Sequence, residues 1–133
     1  MFGLGGEYDY DILLILHDHI IEASGGAKGI HSEHLLRSAL SRPLQTAFGE
    51  EIHSDSFMQA AALLDAIANN HGFRDGNKRT AMAAATLSLF TREKMKLSST
   101  NQEYEDFMLH VVRDKPPMRE ISDWLERHCS NAF

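Results

Sequence analysis

Two alanine-rich runs constrain this chain more than any other feature. Residues 60–68 read AAALLDAIA and residues 81–85 read AMAAA. Alanine is the best helix former, and its small side chain lets helix axes approach closely. The expectation is two tightly packed helices, one through Phe57, Ala60, Leu64 and Ile67, the other from about Gly76 to Lys94. Between the runs lies a polar stretch, NNHGFRDGNKRT, at residues 69–80. That stretch must form the elbow between the two helices.

The remaining chain reads as helix almost throughout. Residues 9–23 place Leu13, Leu16, His17 and Ile20 on one face, with Asp9 and Asp11 in the first turn, where the helix dipole favours acids. Gly25 and Gly26 stop that helix. Ser32 can cap a second helix that ends before Pro43. Residues 43–54 lack helical periodicity and read as a loop or small hairpin. Ser54 or Asp55 caps the third helix. Thr100 and Glu103 form a capping box for a fifth, with Tyr104, Phe107, Met108 and Val111 as its apolar stripe. A sixth carries Ile121, Trp124 and Leu125. No strand is read outside the possible hairpin, so the fold class is all-α, a bundle of about six helices in a single domain over residues 1–133.

Composition narrows the function classes. A net charge of −6 argues against a broad basic surface for nucleic acid. The one cysteine, Cys129, excludes an internal disulfide and fits a reducing compartment. The longest early apolar run, Ile12 to Leu16, is too short to cross a membrane and is bracketed by acids. The expectation is a cytoplasmic protein with no membrane partner. His17 reads as a packing residue on an apolar face. His31, His34, His53, His110 and His128 show no metal-ligand spacing, and Cys129 reads as a small apolar filler.

The elbow carries the chemistry. A helix starting near Gly76 exposes unpaired N–H groups and the positive end of its dipole, an arrangement suited to phosphate. Asn77 can hold the loop through its amide or donate to an anion. Lys78 and Arg79 add charge at the end where cations oppose the dipole, each at a cost of a few tenths of a kcal/mol. A bound polyphosphate would offset that cost. Asp75 beside phosphate would repel it, unless Mg²⁺ lies between them. His71 is the one group in the elbow that exchanges protons near neutral pH, which makes it the candidate general base. Phe73 is expected to anchor the loop in the core. Each residue alone has a plain structural reading: a helix end for His71, an N-cap for Asp75, solvated charge for Lys78 and Arg79. Their joint order and spacing favour a site.

The string His71-Gly72-Phe73-Arg74-Asp75-Gly76-Asn77-Lys78-Arg79-Thr80-Ala81 resembles the signature of the Fic/Doc superfamily, in its Doc form. Residues 16–43, with Leu-His-Asp, Gly-Gly, a later Gly and Ser-Ala-x-x-Arg-Pro, resemble the Doc-type N-terminal segment. The resemblance implies a compact helical Fic fold and transfer of part of ATP to a protein hydroxyl. It makes His71 the base, Asp75 the Mg²⁺ ligand, and Gly76, Asn77, Lys78 and Arg79 the phosphate site. It makes Leu44, Gln45, Thr46, Ala47 and Phe48 a flap that aligns the target chain by β-augmentation. Lys78 stands where Fic adenylyltransferases have glycine, and Met82 where they have a final arginine. Doc shares both departures. Doc-type toxins resemble kinases that pass the γ-phosphate to a threonine of elongation factor Tu and halt translation. A side chain at position 78 crowds the site and favours a terminal phosphate there. Gly76 keeps some Fic-like space, and Gly72, in place of the Fic proline, is expected to loosen the loop at no cost. Neither Thr46–Glu50 nor Ser99–Glu103 matches the Fic inhibitory motif, so restraint by a small antitoxin in trans is the expectation. The rival readings are AMP transfer and a non-catalytic partner-binding relative.

Overall fold

A computed structural model describes residues 8–44, 46–47, 50–51 and 55–133. Helix α1 spans Asp9–Ser24, α2 Glu33–Ser41, α3 Ser56–Asn70, α4 Asn77–Glu93, α5 Asn101–Asp114 and α6 Met118–Arg127. A short 3₁₀ turn, Arg42–Leu44, follows α2 and takes in Pro43, which cannot continue an α-helix. The helices start where local chemistry provides acceptors for their free N–H groups. Ser32 Oγ accepts from Leu35 N (3.1 Å), and Asp55 Oδ1 from Met58 N (2.7 Å). Thr100 and Glu103 form the reciprocal capping box.

Helix α3 is the centre of the bundle. Every residue from Gln59 to Ala68 is buried, the mark of a helix enclosed on all sides. Its most extensive packing is with α4, where Ala81, Ala84 and Ala85 are fully buried against its own alanines. Helices α6, α2 and α5 cover the rest of it. Asp65, the one acid in this buried run, is paired with Arg42 at 2.9 Å, which ties α3 to the 3₁₀ turn. On α1 the buried line is Asp9, Leu13, His17 and Ile21. Leu16 and Ile20, expected on that face, are only half-buried.

The expected hairpin is present: β1 (Thr46–Ala47) pairs antiparallel with β2 (Glu50–Glu51). Of the five flap residues, Gln45 and Phe48 lie outside the described residues. A second small sheet corrects the all-helical reading of the C-terminal region. Strand β3 (Met95–Leu97) pairs antiparallel with β4 (Cys129–Asn131), Lys96 opposite Ser130. Three residues are too few to show alternation, so the strands are invisible to periodicity. They close the chain's end onto the C-terminus of α4. There a stacked column of Phe107, Trp124 and His128, with centroids 4.0 and 3.8 Å apart, holds α6 against α5.

Candidate active site

The elbow between α3 and α4 is a backbone feature before it is a chemical one. Helix α3 ends with His71 in the left-handed conformation, φ 53°, which a histidine tolerates better than a branched residue. Gly76, also left-handed at φ 78°, starts α4, and no side chain caps the first-turn N–H groups. Asn77 spends its amide on the loop: Oδ1 accepts from Phe73 N (3.0 Å) and Nδ2 donates to Phe73 O (2.9 Å). Of the two roles open to Asn77, its side chain takes the structural one. Phe73 is 2% exposed, as expected of an anchor.

The loop between α1 and α2 clasps this elbow along its length. Arg74 N donates to Gly29 O (3.1 Å), and Gly72 O accepts from His31 N (2.8 Å) and Ser32 N (3.0 Å). Residues Ile30 and Phe73 form an isolated antiparallel bridge. From beneath, His17 lies flat against Phe73, 3.8 Å between ring centroids and 2° from parallel, and its Nε2 bonds the Asp75 carbonyl at 2.8 Å. A carbonyl only accepts, so Nε2 carries the proton. The packing role expected of His17 is what the structure shows, with the addition of this bond to the motif backbone.

Gly72 corrects the sequence reading. It is buried, and a Cβ there would lie 2.3 Å from Leu36 Cδ2 and 3.3 Å from Leu36 N. Glycine therefore lets α2 close on the elbow, which is the opposite of loosening it.

Asp75 is not a conventional N-cap. Its Oδ2 accepts from Ala27 N (3.0 Å) and its Oδ1 from Gly76 N (2.8 Å). The Ala27 and Gly76 amides, then Arg79 and Lys78, hold its carboxyl below the usual range, so it is ionised at neutral pH. Gly26 makes this possible: its φ is +125°, and a Cβ there would lie 2.7 Å from Asp75 Oδ2. Arg79 points the same way. Its Nη1 donates to Ser24 Oγ and to Gly25 O (2.9 Å), and its Nη2 lies 3.9 Å from Asp75 Oδ1. The carbonyls at the end of α1 carry the negative pole of that helix, so a cation is favoured there.

Two hollows flank the elbow. His71, Phe73 and Asn77 line one of about 390 Å³, together with His31 and Arg74. Lys78 and Arg79 line the other, about 360 Å³, with Tyr104, Glu105, Met108 and Leu109 of α5. Burial pushes the Tyr104 phenol above its ordinary value, against the pull of Arg79. The candidate base and the two cations thus face different hollows, with Asp75 in the turn between them. Among the described residues no group of three metal-ligating side chains occurs.

With this geometry, the comparison with known proteins is specific. Residues 7–89 match the family model described as the Fic/DOC family. The chain belongs to the Fic/DOC family. The match contains the clasp, the elbow and most of α4, the elements that build the site. A Fic/DOC relative, the "Toxin Doc" of Mycolicibacterium smegmatis, is 44% identical over 63 residues, 47% of this chain and 48% of that protein. The match thus spans about half the length of that relative. A second, the "Protein kinase doc" of Escherichia phage P1, is 30% identical over 120 residues, 90% of this chain and 93% of that protein.

Residues 17, 24–27, 29 and 31 were not read from the sequence as builders of the site. Only the two glycines and the later glycine of the α1–α2 loop hinted at it.

No helix among the described residues is long and apolar enough to cross a membrane.

Proposed function

We propose that the chain is a Doc-like toxin that transfers the ATP γ-phosphate to a Ser or Thr hydroxyl of a protein. The observation that carries this reading is the N-terminus of α4: uncapped by any side chain, yet holding Lys78 and Arg79 in its first turn. Arg79 turns its guanidinium to the carbonyl end of α1, but Lys78 has no such partner among the described residues, and an anion of high charge removes its conflict with the α4 dipole. The names of the two relatives, one a toxin and one a protein kinase, support the same assignment.

The phosphates lie at the first-turn N–H groups of α4, and the nucleoside extends into the hollow between Lys78, Arg79 and Tyr104. The target hydroxyl enters on the His71 side. His71 takes the hydroxyl proton as the oxygen forms its bond to the γ-phosphorus and the bond to the β–γ bridging oxygen breaks, releasing ADP. Little covalent chemistry falls to the protein, whose share is positioning and charge neutralisation. Asp75 fits a Mg²⁺ ligand: ionised, with its side chain 48% exposed and each oxygen holding one N–H bond and a free lone pair. Mg²⁺ takes one or two carboxylates and completes its shell with phosphate and water. Bound there, it would neutralise phosphate charge. Elongation factor Tu is the target that family precedent suggests, and a small antitoxin the restraint in trans.

The test is ATP labelled on the α- or the γ-phosphate, added with the purified chain to a bacterial lysate. A protein labelled only from the γ position, and not by His71→Ala, is the expected result. Label from the α position would replace this reading with AMP transfer. Growth arrest undiminished by His71→Ala would remove catalysis by that residue.

A further inference from the structure

The hollow that holds His71 is also rimmed by Arg74 and His31, residues to which the transfer chemistry assigns no part. Arg74 sits in mid-motif, between the candidate base and the candidate metal ligand. Its backbone N–H is bound to Gly29 O, and its stem lies against Gly29, where a Cβ would meet Arg74 Cδ and Nε at 3.0 Å. The side chain is thus held along Gly29 as far as Nε, and the residue as a whole is exposed. Of the other arginines, Arg79 is engaged by Ser24 and Gly25, Arg42 by Asp65, Arg37 by Glu33 and Arg113 by Asp114, while Arg92, Arg119 and Arg127 show no carboxylate partner among the described residues. Arg74 has no carboxylate partner among the described residues. The neighbouring Asp75 is turned to the Ala27 and Gly76 amides and to Arg79. What sets Arg74 apart is its place: an unpaired planar cation on the same hollow as the candidate base.

We propose that Arg74, with His31 beside it, is an acceptor-specificity residue that holds an acidic side chain of the target polypeptide next to the hydroxyl presented to His71. A guanidinium fork matches a carboxylate in shape and charge. Lys78 and Arg79 face the other hollow and leave this one to the acceptor. The inference rests on the reading of the chain as an enzyme acting on a polypeptide hydroxyl.

The experiment uses short peptides with one central Thr, each flanking residue set in turn to Asp, Glu, Lys or Ala. They are incubated with the full chain and ATP labelled on the α- or γ-phosphate. The native protein labels acidic peptides about tenfold better than their lysine counterparts, Arg74→Gln loses that preference, and Arg74→Glu turns it toward lysine. KM for ATP is unchanged in both variants. A native protein indifferent to acidic residues, an Arg74→Gln variant that keeps the preference, or a raised KM for ATP overturns the inference. Selection is scored on whichever label enters, so AMP transfer in place of phosphate leaves it readable. If neither label enters any peptide, the transfer reading fails, and retention of the same peptides on immobilised His71→Ala protein decides. Acidic enrichment that Arg74→Gln abolishes then upholds the Arg74 contact, and equal retention overturns it.

Discussion

Replacing Gly72 with alanine puts a Cβ 2.3 Å from Leu36 Cδ2 and 2.6 Å from Leu36 Cγ. Leu36 is 1% exposed and has no room to yield. Overpacking of this kind costs about 1–3 kcal/mol. If the loop moves instead, the two bonds that Gly72 O accepts from His31 N and Ser32 N lengthen, at about 0.5–1.5 kcal/mol each. By either route the expected loss is about 1–3 kcal/mol, a fall in Tm of about 4–12 °C for a domain of this size. Thermal and urea unfolding of Gly72→Ala, Leu36→Ala and the double variant form the assay. Leu36→Ala alone loses about 2–5 kcal/mol but opens the space beside Gly72. In that background Gly72→Ala is expected to cost under about 1 kcal/mol, a clear coupling between the two sites. An alanine at 72 that leaves Tm unchanged, or two losses that simply add, would refute the clash with Leu36.

Three further perturbations probe the clasp and the helical frame. His17→Phe keeps a ring against Phe73 but leaves the Asp75 carbonyl without its donor, an expected loss of about 1–3 kcal/mol by chemical denaturation; a loss below about 0.3 kcal/mol would show that the bond is dispensable. Asp75 has a depressed pKa, so its contribution is full above the ordinary carboxylate range and is lost as pH falls through the lower folded value. The Ala27 amide resonance should shift over that acid window, and in Asp75→Asn it should not. His110 Nδ1 bonds Asp114 Oδ2 (2.7 Å) and Nε2 bonds Glu120 Oε2 (2.9 Å), pinning α5 to α6. The Glu120 bond, then the Asp114 bond, raises its pKa, so this contribution is full below the ordinary imidazole range and disappears as pH rises through the folded value. The Tm gap between the native chain and His110→Gln should therefore shrink as pH rises; a gap independent of pH would rule out a charged imidazole there.

What the sequence determined by itself was local. Helix bonds run four residues along the chain, and caps reach three, so Ser32 and the Thr100–Glu103 box could be read directly, Asp55 as one of two neighbouring candidates, and the elbow between two alanine-rich helices as well. The family of the elbow was legible too, because the residues of its motif fall within a few positions of one another. Tertiary structure decided how the elbow is held. His17 meets Asp75 across 58 residues, Ala27 meets it across 48, and Arg79 reaches Ser24 across 55. Contacts of that span are set by how α1 crosses α4, which no local pattern encodes. The same holds for Gly72, whose need for a missing Cβ depends on where Leu36 arrives, and for β3 and β4, which exist only because the chain's end returns to the C-terminus of α4.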